Sequence, residues 1–275
     1  MLEHIWNPWH GCKKYSEGCK YCYMYFLDKQ RGNDGSKIYK VKTNFDLPLK
    51  KDKNGEYKIK SGSLVHVCMT SDFFLEEADS WREEVWDIIR KRKDLTFWIQ
   101  TKRANRVKEC LPSDFDNINN VILCFTAENQ EKADERVPIL LDIDVPTRAI
   151  MCAPMIGEIT LLEYLKTGKI NQVLVDGENY EGNRPLYYDW VKKLYDECLK
   201  YNVNFTFVGT GNYFVKNKRK YHIVKAYQGL MARRSHLQIP DYNTNLKLQP
   251  KCRTCKRNNS CNGCTWCMKC VKKNN

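Results

Sequence analysis

The sequence predicts an α/β protein whose parallel sheet is covered by helices. From about Leu64 onward, short apolar runs rich in Val, Ile and Phe alternate with segments of helical periodicity. Strands buried on both faces have such continuous apolar runs, and intervening helices allow consecutive strands to run parallel. The predicted strands are residues 63–70, 95–101, 120–126, 148–153, 171–177 and 203–210, and the predicted helices lie near residues 80–91, 131–142, 158–167 and 187–201.

Polar residues follow four of these strands at their carboxyl ends. Because the carboxyl ends of parallel strands share one edge of a sheet, ligands bind there in open sheets and in barrels. The four segments 69–72, 100–103, 125–129 and 175–179 therefore predict a polar rim around a binding site. Residues 47–60, by contrast, have the composition of an exposed connection or hairpin.

Length and charge predict one main domain with a basic tail. The 275-residue chain is 42% hydrophobic, which suffices for one sizeable core and a small appendage. It has no long apolar run and its start lacks the features of a secretory signal, so we expect a cytoplasmic protein without a membrane span. The net charge of +13 comes wholly from the last sixty residues, which contain fifteen Lys and Arg but only one acidic residue. The predicted parts are a domain over residues 1–215 and a tail over residues 216–275.

The fourteen cysteines are unevenly distributed. In a reducing cytoplasm, clustered cysteines are more often metal ligands than disulfides. Nine of them form two groups, one near each end of the chain, and five stand singly in apolar or helical segments, where cysteine usually packs as a small hydrophobic residue. The five that we expect to be structural are Cys68, Cys110, Cys124, Cys152 and Cys198.

The first group, Cys12, Cys19 and Cys22, has the spacing C-x6-C-x2-C. Three thiolates are one ligand short of a closed tetrahedral zinc site, so the group either recruits another ligand or leaves a coordination position open. An open iron is what a substrate-binding [4Fe-4S] cluster requires. The alternative is a zinc loop completed by His10 or His4.

Several stretches together resemble a phage-associated three-cysteine-motif family of uncharacterised, radical-SAM-like proteins. They are WNPWHGCKKYSEGCKYCY, DLPL, VCMTSDFF, QTKRANR, NNVILCFTAENQEKADERVPILL, VLVDGENYEGNRPLYYDWVKKLYDEC and VNFTFVGTGNYF, in this order. The C-x-aromatic-C end of the radical S-adenosylmethionine (SAM) motif is present in Cys19–Cys22, although the first gap is six residues rather than three. The resemblance implies a partial TIM-type barrel whose cluster, on the three cysteines, binds and cleaves SAM to give a 5′-deoxyadenosyl radical.

Within the predicted rim, the chemistry of the side chains suggests individual roles. Carboxylate, hydroxyl and amide groups would hold the amino end and the ribose of SAM, while an ammonium or a second carboxylate would serve an anionic substrate or move a proton. Arg103 and Arg184 are further cations for the cofactor carboxylate or the substrate. The predicted cofactor-binding residues are Tyr21, Thr70, Ser71, Asp72, Thr126, Glu128 and Asn129, and the predicted catalytic residues are Lys102, Asp176 and Glu178.

The second cysteine group has the spacing C-x2-C-x5-C-x2-C-x2-C-x2-C, with six cysteines in nineteen residues. So little apolar sequence separates them that metal binding is the expected role. Ferredoxin loops and the auxiliary-cluster motif of SPASM-type radical enzymes have similar spacings, which favours a second [4Fe-4S] cluster over the alternative, a four-thiolate zinc site. The predicted ligands are Cys252, Cys255, Cys261, Cys264, Cys267 and Cys270.

The basic C-terminal sequence interleaves Lys and Arg with Tyr213, Tyr221, Tyr227 and Trp266. Positive charge attracts phosphate backbones and aromatic rings stack on bases, so DNA or RNA is the expected anionic partner and substrate. A radical enzyme would also need an electron donor such as ferredoxin or flavodoxin. Two other functions stay open at this point: a zinc-binding nucleic-acid-binding protein without radical chemistry, and a two-cluster electron-transfer protein that does not use SAM.

Overall fold

A computed structural model of the chain describes residues 2–182 and 184–239. The predicted metal ligands from Cys252 to Cys270 lie outside the described residues. The chain as far as Gln238 forms one compact unit. No helix in the described ranges is both long enough and apolar enough to span a bilayer.

The elements alternate between strands and helices for most of the chain. The strands are β1 (Glu3–Trp6), β2 (Trp9–His10), β3 (Tyr39–Lys40), β4 (Leu64–Val67), β5 (Thr96–Thr101), β6 (Val121–Thr126), β7 (Thr147–Cys152), β8 (Gln172–Asp176), β9 (Leu186–Tyr187), β10 (Asn204–Gly209), β11 (Tyr213–Lys216) and β12 (Arg219–His222). The α-helices are α1 (Tyr23–Gln30), α2 (Asp79–Lys91), α3 (Ala104–Cys110), α4 (Gln130–Leu141), α5 (Leu162–Leu165), α6 (Tyr188–Lys200) and α7 (Lys225–Arg234). Short 3-10 helices span Glu17–Cys19, Leu47–Leu49, Glu76–Ala78 and Phe115–Asn117.

In the described chain, a seven-stranded sheet has the order β1-β4-β5-β6-β7-β8-β10. Every neighbouring pair in it is parallel. The sheet curls into a half-barrel flanked by helices. The predicted α/β class and all six predicted strands are therefore confirmed. The predicted helices correspond to α2, α4, α5 and α6, of which α5 is a single turn.

Alternate side chains of the strands point to opposite faces of the sheet. Phe97 and Ile99 of β5 are fully buried on one face. On the other face Trp98, Cys124 and Ala149 form a cluster. Because a half-barrel is not closed, part of the apolar surface around this cluster stays accessible, and the partly buried residues packed against it are Leu64, Ile122, Met151 and Leu174.

Strand β1 was not predicted from the sequence. It has four residues, and only Trp6 is buried, so it lacks the continuous apolar run of the other strands. It pairs in parallel with β4, which places the residues after Trp6 at the carboxyl edge of the sheet. The predicted connection or hairpin at residues 47–60 is confirmed by an antiparallel bridge between Lys51 and Tyr57.

Residues 213–238 belong to the same compact unit as the sheet. Strands β11 and β12 form an antiparallel hairpin, and β11 also pairs with β9. Helix α7 packs against β10, with Gln228 and Ala232 on its buried side. Gln238 Nε2 donates a hydrogen bond to the Phe207 carbonyl at 3.0 Å. The first part of the predicted tail, residues 216–238, is thus packed on the half-barrel.

Asn212 joins this C-terminal part to the loop after β8. Its backbone N–H donates to the Glu178 carbonyl at 2.7 Å, and its Nδ2 donates to the Gly182 carbonyl at 3.1 Å. Its Oδ1 accepts a hydrogen bond from Gln228 Nε2 at 3.0 Å. One side chain therefore connects the edge of the sheet with α7.

We expect Asn212→Ala to lower the free energy of unfolding by about 1–3 kcal/mol, because polar groups on both sides lose a partner. Urea unfolding followed by circular dichroism measures this change. Asn105→Ala, on the exposed side of α3, is the control and should stay within about 0.5 kcal/mol of the unsubstituted protein. Equal stability of the two variants would contradict the connecting role of Asn212.

Candidate metal and cofactor site

The loop between β1 and α1 carries the three N-terminal cysteines across the carboxyl edge of the sheet. The Gly11 N–H donates to the Thr70 carbonyl at 3.1 Å, and Ser71 Oγ donates to the Gly11 carbonyl at 2.5 Å. Gly11 has a φ of +87°, and a Cβ there would lie 2.2 Å from the Lys37 carbonyl oxygen, so this position requires glycine. The loop is therefore fixed to the end of β4 immediately before Cys12.

Arg103, which follows β5, contacts the loop at Cys12. Its Nη1 lies 3.9 Å from Cys12 Sγ and 3.3 Å from Asp72 Oδ2, and its Nη2 donates to the Lys13 carbonyl at 2.8 Å. Burial raises the pKa of the Cys12 thiol to about 12, Asp72 adds to the rise, and Arg103 opposes it. Cys12 is thus protonated at neutral pH, and a metal that binds there must release this proton.

Asp72 is buried, and both of its oxygens accept hydrogen bonds, from the end of β5 and from its own loop after β4. Oδ1 accepts from Thr101 Oγ1 at 2.7 Å and from the Phe74 N–H at 3.0 Å. Oδ2 accepts from the Lys102 N–H at 3.1 Å and is the oxygen that faces Arg103. Each oxygen of this predicted cofactor ligand already has two protein partners.

The hydroxyl of Tyr25, in α1, donates a hydrogen bond to the Cys12 carbonyl. Burial raises the pKa of Tyr25 to about 12, and Cys12, Cys22 and Cys19 each add to the rise. All three thiols are half-buried. Among residues 2–182 and 184–239, however, no three His, Cys, Asp or Glu side chains converge closely enough to hold one metal ion. Binding of a metal at this loop therefore requires the cysteine side chains to turn toward one another.

His10 has both ring nitrogens engaged. Nε2 lies 2.7 Å from Asp28 Oδ2, and Nδ1 lies 3.1 Å from Thr70 Oγ1. His4 lies within β1, before the cysteine loop begins. In this arrangement, neither histidine is placed to complete a zinc site with the three cysteines.

Glu128 and Arg136 form a fully buried ion pair next to the loop, with Oε2 and Nη1 2.8 Å apart. Burial raises the pKa of Glu128, but Arg136, Ser16 and Lys102 together outweigh this effect and hold the pKa below its usual range. Gly18 packs against Glu128, because a Cβ at Gly18 would lie 3.1 Å from the carboxylate carbon. Glu128 Oε1 and Arg136 Nε and Nη2 have no hydrogen-bond partner among the described residues. A buried polar atom without a hydrogen bond destabilises the folded protein unless a bound group or a water molecule supplies the missing hydrogen bond.

Two further predicted cofactor residues have structural partners. Thr126 is buried, and its Oγ1 accepts from Gln100 Nε2 at 3.3 Å. Asn129 caps α4, since its Oδ1 accepts from the Lys132 N–H at 3.0 Å. An N-cap of this kind satisfies one of the free N–H groups of a helix.

Lys102 differs from its neighbours because its ammonium has no hydrogen bond or ion pair with any residue that the structure describes. It is half-buried, and it lies close enough to Glu128 to help lower the pKa of that carboxyl. Lys102 therefore places a positive charge in the rim without a direct carboxylate partner among the described residues.

Glu178 forms an ion pair with Arg184. Arg184 Nε lies 2.8 Å from Glu178 Oε1, and the Arg184 N–H donates to Oε2 at 3.1 Å. Arg184 Nη1 also lies 2.8 Å from Glu17 Oε1, and its guanidinium is 5.6 Å from the Tyr21 ring. The arrangement ties the loop after β8 to the segment that holds Cys19.

Asp176 ends β8 at the same edge of the sheet. Its Oδ1 is buried and has no hydrogen-bond partner among the described residues. Burial raises the pKa of Asp176 to about 7, while Lys225 acts in the opposite direction. A Cβ on Gly209 would lie 2.7 Å from Oδ1, so the glycine keeps space for the carboxyl group. Asp176 is therefore suited to accept and release a proton near neutral pH.

Sequence reasoning missed Arg136 and the pair of His10 with Asp28. Arg136 lies in a charged helical stretch that resembles a solvated surface, and only its approach to Glu128 makes it a buried residue. Four of the five cysteines predicted to be structural, namely Cys68, Cys124, Cys152 and Cys198, are buried, and Cys110 is half-buried.

Comparison with known proteins gives a family but no characterised relative. A family model described as "Protein of unknown function (DUF5131)" matches residues 1–267. The chain belongs to this family. No curated protein and no solved structure matches the chain.

Replacing Arg103 tests its contact with the cysteine loop. Arg103→Met should lower the free energy of unfolding by about 3 kcal/mol, because the buried Asp72 loses its counter-charge. Arg106→Met is the matched control. Arg106 lies three residues further on and pairs with Asp79, which is half exposed, so its loss should cost about 1 kcal/mol or less. Chemical unfolding of both variants measures the two losses of unfolding free energy. Equal losses would refute the role of Arg103 as the counter-charge of the buried Asp72.

The raised pKa of Asp176 predicts a pH-dependent stability. The folded state retains the Asp176 proton up to about pH 7, whereas the unfolded chain loses it near its ordinary pKa of 3.8. The protonated carboxyl therefore favours folding at low pH, and this contribution is lost as the pH rises toward 7. Asp176→Asn is neutral at every pH. Its free energy of unfolding should therefore rise by about 2–3 kcal/mol relative to that of the unsubstituted protein as the pH is raised from about 5 to about 8.

Urea unfolding at several pH values measures this difference. Asp189→Asn, at an exposed position in the first turn of α6, controls for the loss of one negative charge. Parallel pH profiles for the unsubstituted protein and Asp176→Asn would contradict the assignment.

Proposed function

We propose that this member of the DUF5131 family is a SAM-dependent radical enzyme with a [4Fe-4S] cluster on Cys12, Cys19 and Cys22. Its substrate would be anionic, and nucleic acid is the class that the basic C-terminal sequence favours. The reaction would need an external electron donor such as ferredoxin or flavodoxin.

One observation carries the proposal: the cysteine loop is bound to the carboxyl ends of neighbouring parallel strands. Gly11 and Ser71 join it to the end of β4, and Arg103 joins it to the end of β5. At this edge of a curled parallel sheet, ligands meet loops from several strands at once. A cofactor bound to the loop would therefore face the polar ends of β6 and β8.

The donor set fits an iron-sulfur cluster with an open position better than a closed zinc site. Three thiols are available, and His10 is occupied by Asp28 and Thr70. Arg103 next to Cys12 would offset part of the negative charge that the thiolates bring. When bound, the cluster would supply the electron that cleaves the sulfonium bond of SAM.

The surrounding residues would divide into those that bind and those that position. Asp72 has four protein hydrogen-bond partners and would hold the loop in place rather than contact SAM. Lys102, whose ammonium has no hydrogen bond or ion pair among the described residues, would bind the carboxylate of SAM or an anionic substrate. Glu128 and Arg136 would offer their unpartnered polar atoms to the cofactor. Asp176 would take up or release a proton at the substrate.

The six C-terminal cysteines would hold a second metal centre, for which a [4Fe-4S] cluster is favoured and zinc is the alternative. These residues lie outside the described chain, so this assignment rests on their spacing. A zinc-binding nucleic-acid-binding protein and a two-cluster electron-transfer protein are the competing functions. They differ from the proposal in metal content and in the use of SAM.

The test is anaerobic reconstitution with iron and sulfide, followed by dithionite and SAM. We expect brown protein with about four to eight irons per chain and formation of 5′-deoxyadenosine. Cys12→Ala/Cys19→Ala/Cys22→Ala should lose about four irons and all 5′-deoxyadenosine. Cys110→Ala, which removes a single half-buried cysteine, should keep both.

Two outcomes would reject the proposal in favour of a named competitor. Colourless protein with about one or two zinc ions per chain identifies the zinc protein. Full iron content with no 5′-deoxyadenosine, and no change in the cluster's EPR signal when SAM is added, identifies the electron-transfer protein.

A further inference from the structure

The hairpin of β11 and β12 and the helix α7 carry positive charge without any acidic residue. Residues 213–239 contain seven Lys and Arg and no Asp or Glu. Apart from the half-buried Lys216, these cations are exposed. Together they form what we call the basic surface, which consists of Lys218, Arg219, Lys220, Lys225, Arg233 and Arg234.

The cations of the basic surface are not neutralised within the described chain. None of them forms an ion pair with a described residue. Arginines in the half-barrel commonly form ion pairs with carboxylates. Arg90, for example, pairs with Asp114, and Arg106 pairs with Asp79. A surface that retains its full charge attracts a polyanion, because bound phosphates displace condensed counterions.

Aromatic rings lie among these cations. Tyr221 and Tyr227 are 45% and 57% exposed. Tyr213 and His222 face each other across the hairpin with their rings 5.2 Å apart, and the Lys220 ammonium lies 4.2 Å from the Tyr213 ring. Cations next to accessible rings are the elements with which proteins bind single strands, since bases stack on the rings while cations contact phosphates.

The basic surface reaches the candidate site through the start of α7. Lys225 is the first residue of α7, which packs against β10, and Gly209 at the end of β10 lies directly against Asp176 Oδ1. The Lys225 ammonium lies 5.5 Å from the Tyr180 ring. Tyr180 in turn packs against Phe26 of α1, the helix that follows Cys22, with 4.9 Å between ring centroids. A strand bound at Lys225 would therefore arrive next to Asp176.

We propose that single-stranded nucleic acid binds along the hairpin and α7 and presents one nucleotide to the carboxyl edge of the sheet at Asp176. This inference rests on the proposed function and names the substrate class of the same site. A single strand fits better than a duplex, because a nucleotide must leave a duplex before an enzyme can act on its base. Phosphates contact Lys218, Lys220 and Lys225, and bases stack on Tyr221 and Tyr227.

An anionic membrane is the main competing partner for such a surface. Helix α7 has only ten residues, and its exposed apolar side chains are few, with Met231 at 41% exposure as the largest besides Tyr227. Membrane-surface helices usually bury a broad apolar face, which α7 lacks. The hairpin, where cations alternate with aromatic rings, favours nucleic acid over a membrane.

The experiment measures binding of the full chain to a fluorescein-labelled oligonucleotide of about 20 nucleotides by anisotropy at about 100 mM salt. Lys218→Glu/Lys220→Glu should weaken binding by about 10-fold or more and reduce the salt dependence. Lys53→Glu/Lys58→Glu is the matched control, since it makes the same charge change on exposed lysines of the other hairpin. It should alter affinity by less than about 2-fold.

Stacking is tested separately from charge. Tyr227→Ala should weaken binding by about 5-fold or more. Tyr227→Phe keeps the aromatic ring and should bind as tightly as the unsubstituted protein. Equal effects of the two double variants would overturn the proposal, as would a stronger affinity for duplex of the same sequence or for vesicles of anionic phospholipid. Absence of binding by the unsubstituted chain would also overturn it.

The same measurement on Cys12→Ala/Cys19→Ala/Cys22→Ala separates this inference from the proposed function. Binding that survives in this variant supports the basic surface even if no 5′-deoxyadenosine forms from the unsubstituted protein. If 5′-deoxyadenosine forms but single strands do not bind, the substrate assignment fails and the radical chemistry stands.

Discussion

The buried carboxylate of Asp72 holds together three segments that are distant in the sequence. It accepts a hydrogen bond from Phe74 in the loop after β4, accepts two more from the end of β5, and pairs with Arg103, which contacts the loop of Cys12. A buried carboxylate is stable only when it is paired and fully hydrogen-bonded. The position of the cysteine loop on the sheet therefore depends on a network whose parts stabilise one another.

The same network sets the charge around the cysteines. Burial and Asp72 both favour the protonated thiol of Cys12, and Arg103 is the group that opposes them. Metal binding requires thiolates, so proton release and metal uptake are coupled at this loop. The second buried pair, Glu128 with Arg136, also lies near Tyr15, whose ring is 5.0 Å from the Arg103 guanidinium and 5.8 Å from that of Arg136. Two arginines thus place positive charge next to a loop that would carry negative charge with metal bound.

Ion pairs also separate the chain into two electrostatic regions. Through the half-barrel, cations and carboxylates are extensively paired, and Arg184 even joins Glu178 to the cysteine loop through Glu17. The hairpin and α7 have cations without carboxylates, although Asn212 and Gln228 fix them to the same sheet edge. The ion pairs of the half-barrel keep the site in place, whereas the cations of the hairpin and α7 are available to bind an anionic partner.

The sequence by itself determined the α/β class, six of the seven strands of the parallel sheet and the edge at which polar residues would meet. Those features depend on local periodicity and on the rule that parallel strands end at one edge. It also identified Cys12, Cys19 and Cys22 as one group, because they are close in the chain. Only the tertiary structure decided what the rim residues contact. Asp72 with Arg103 and Glu128 with Arg136 are pairs made by chain folding, so no local pattern distinguishes such buried charges from solvated ones.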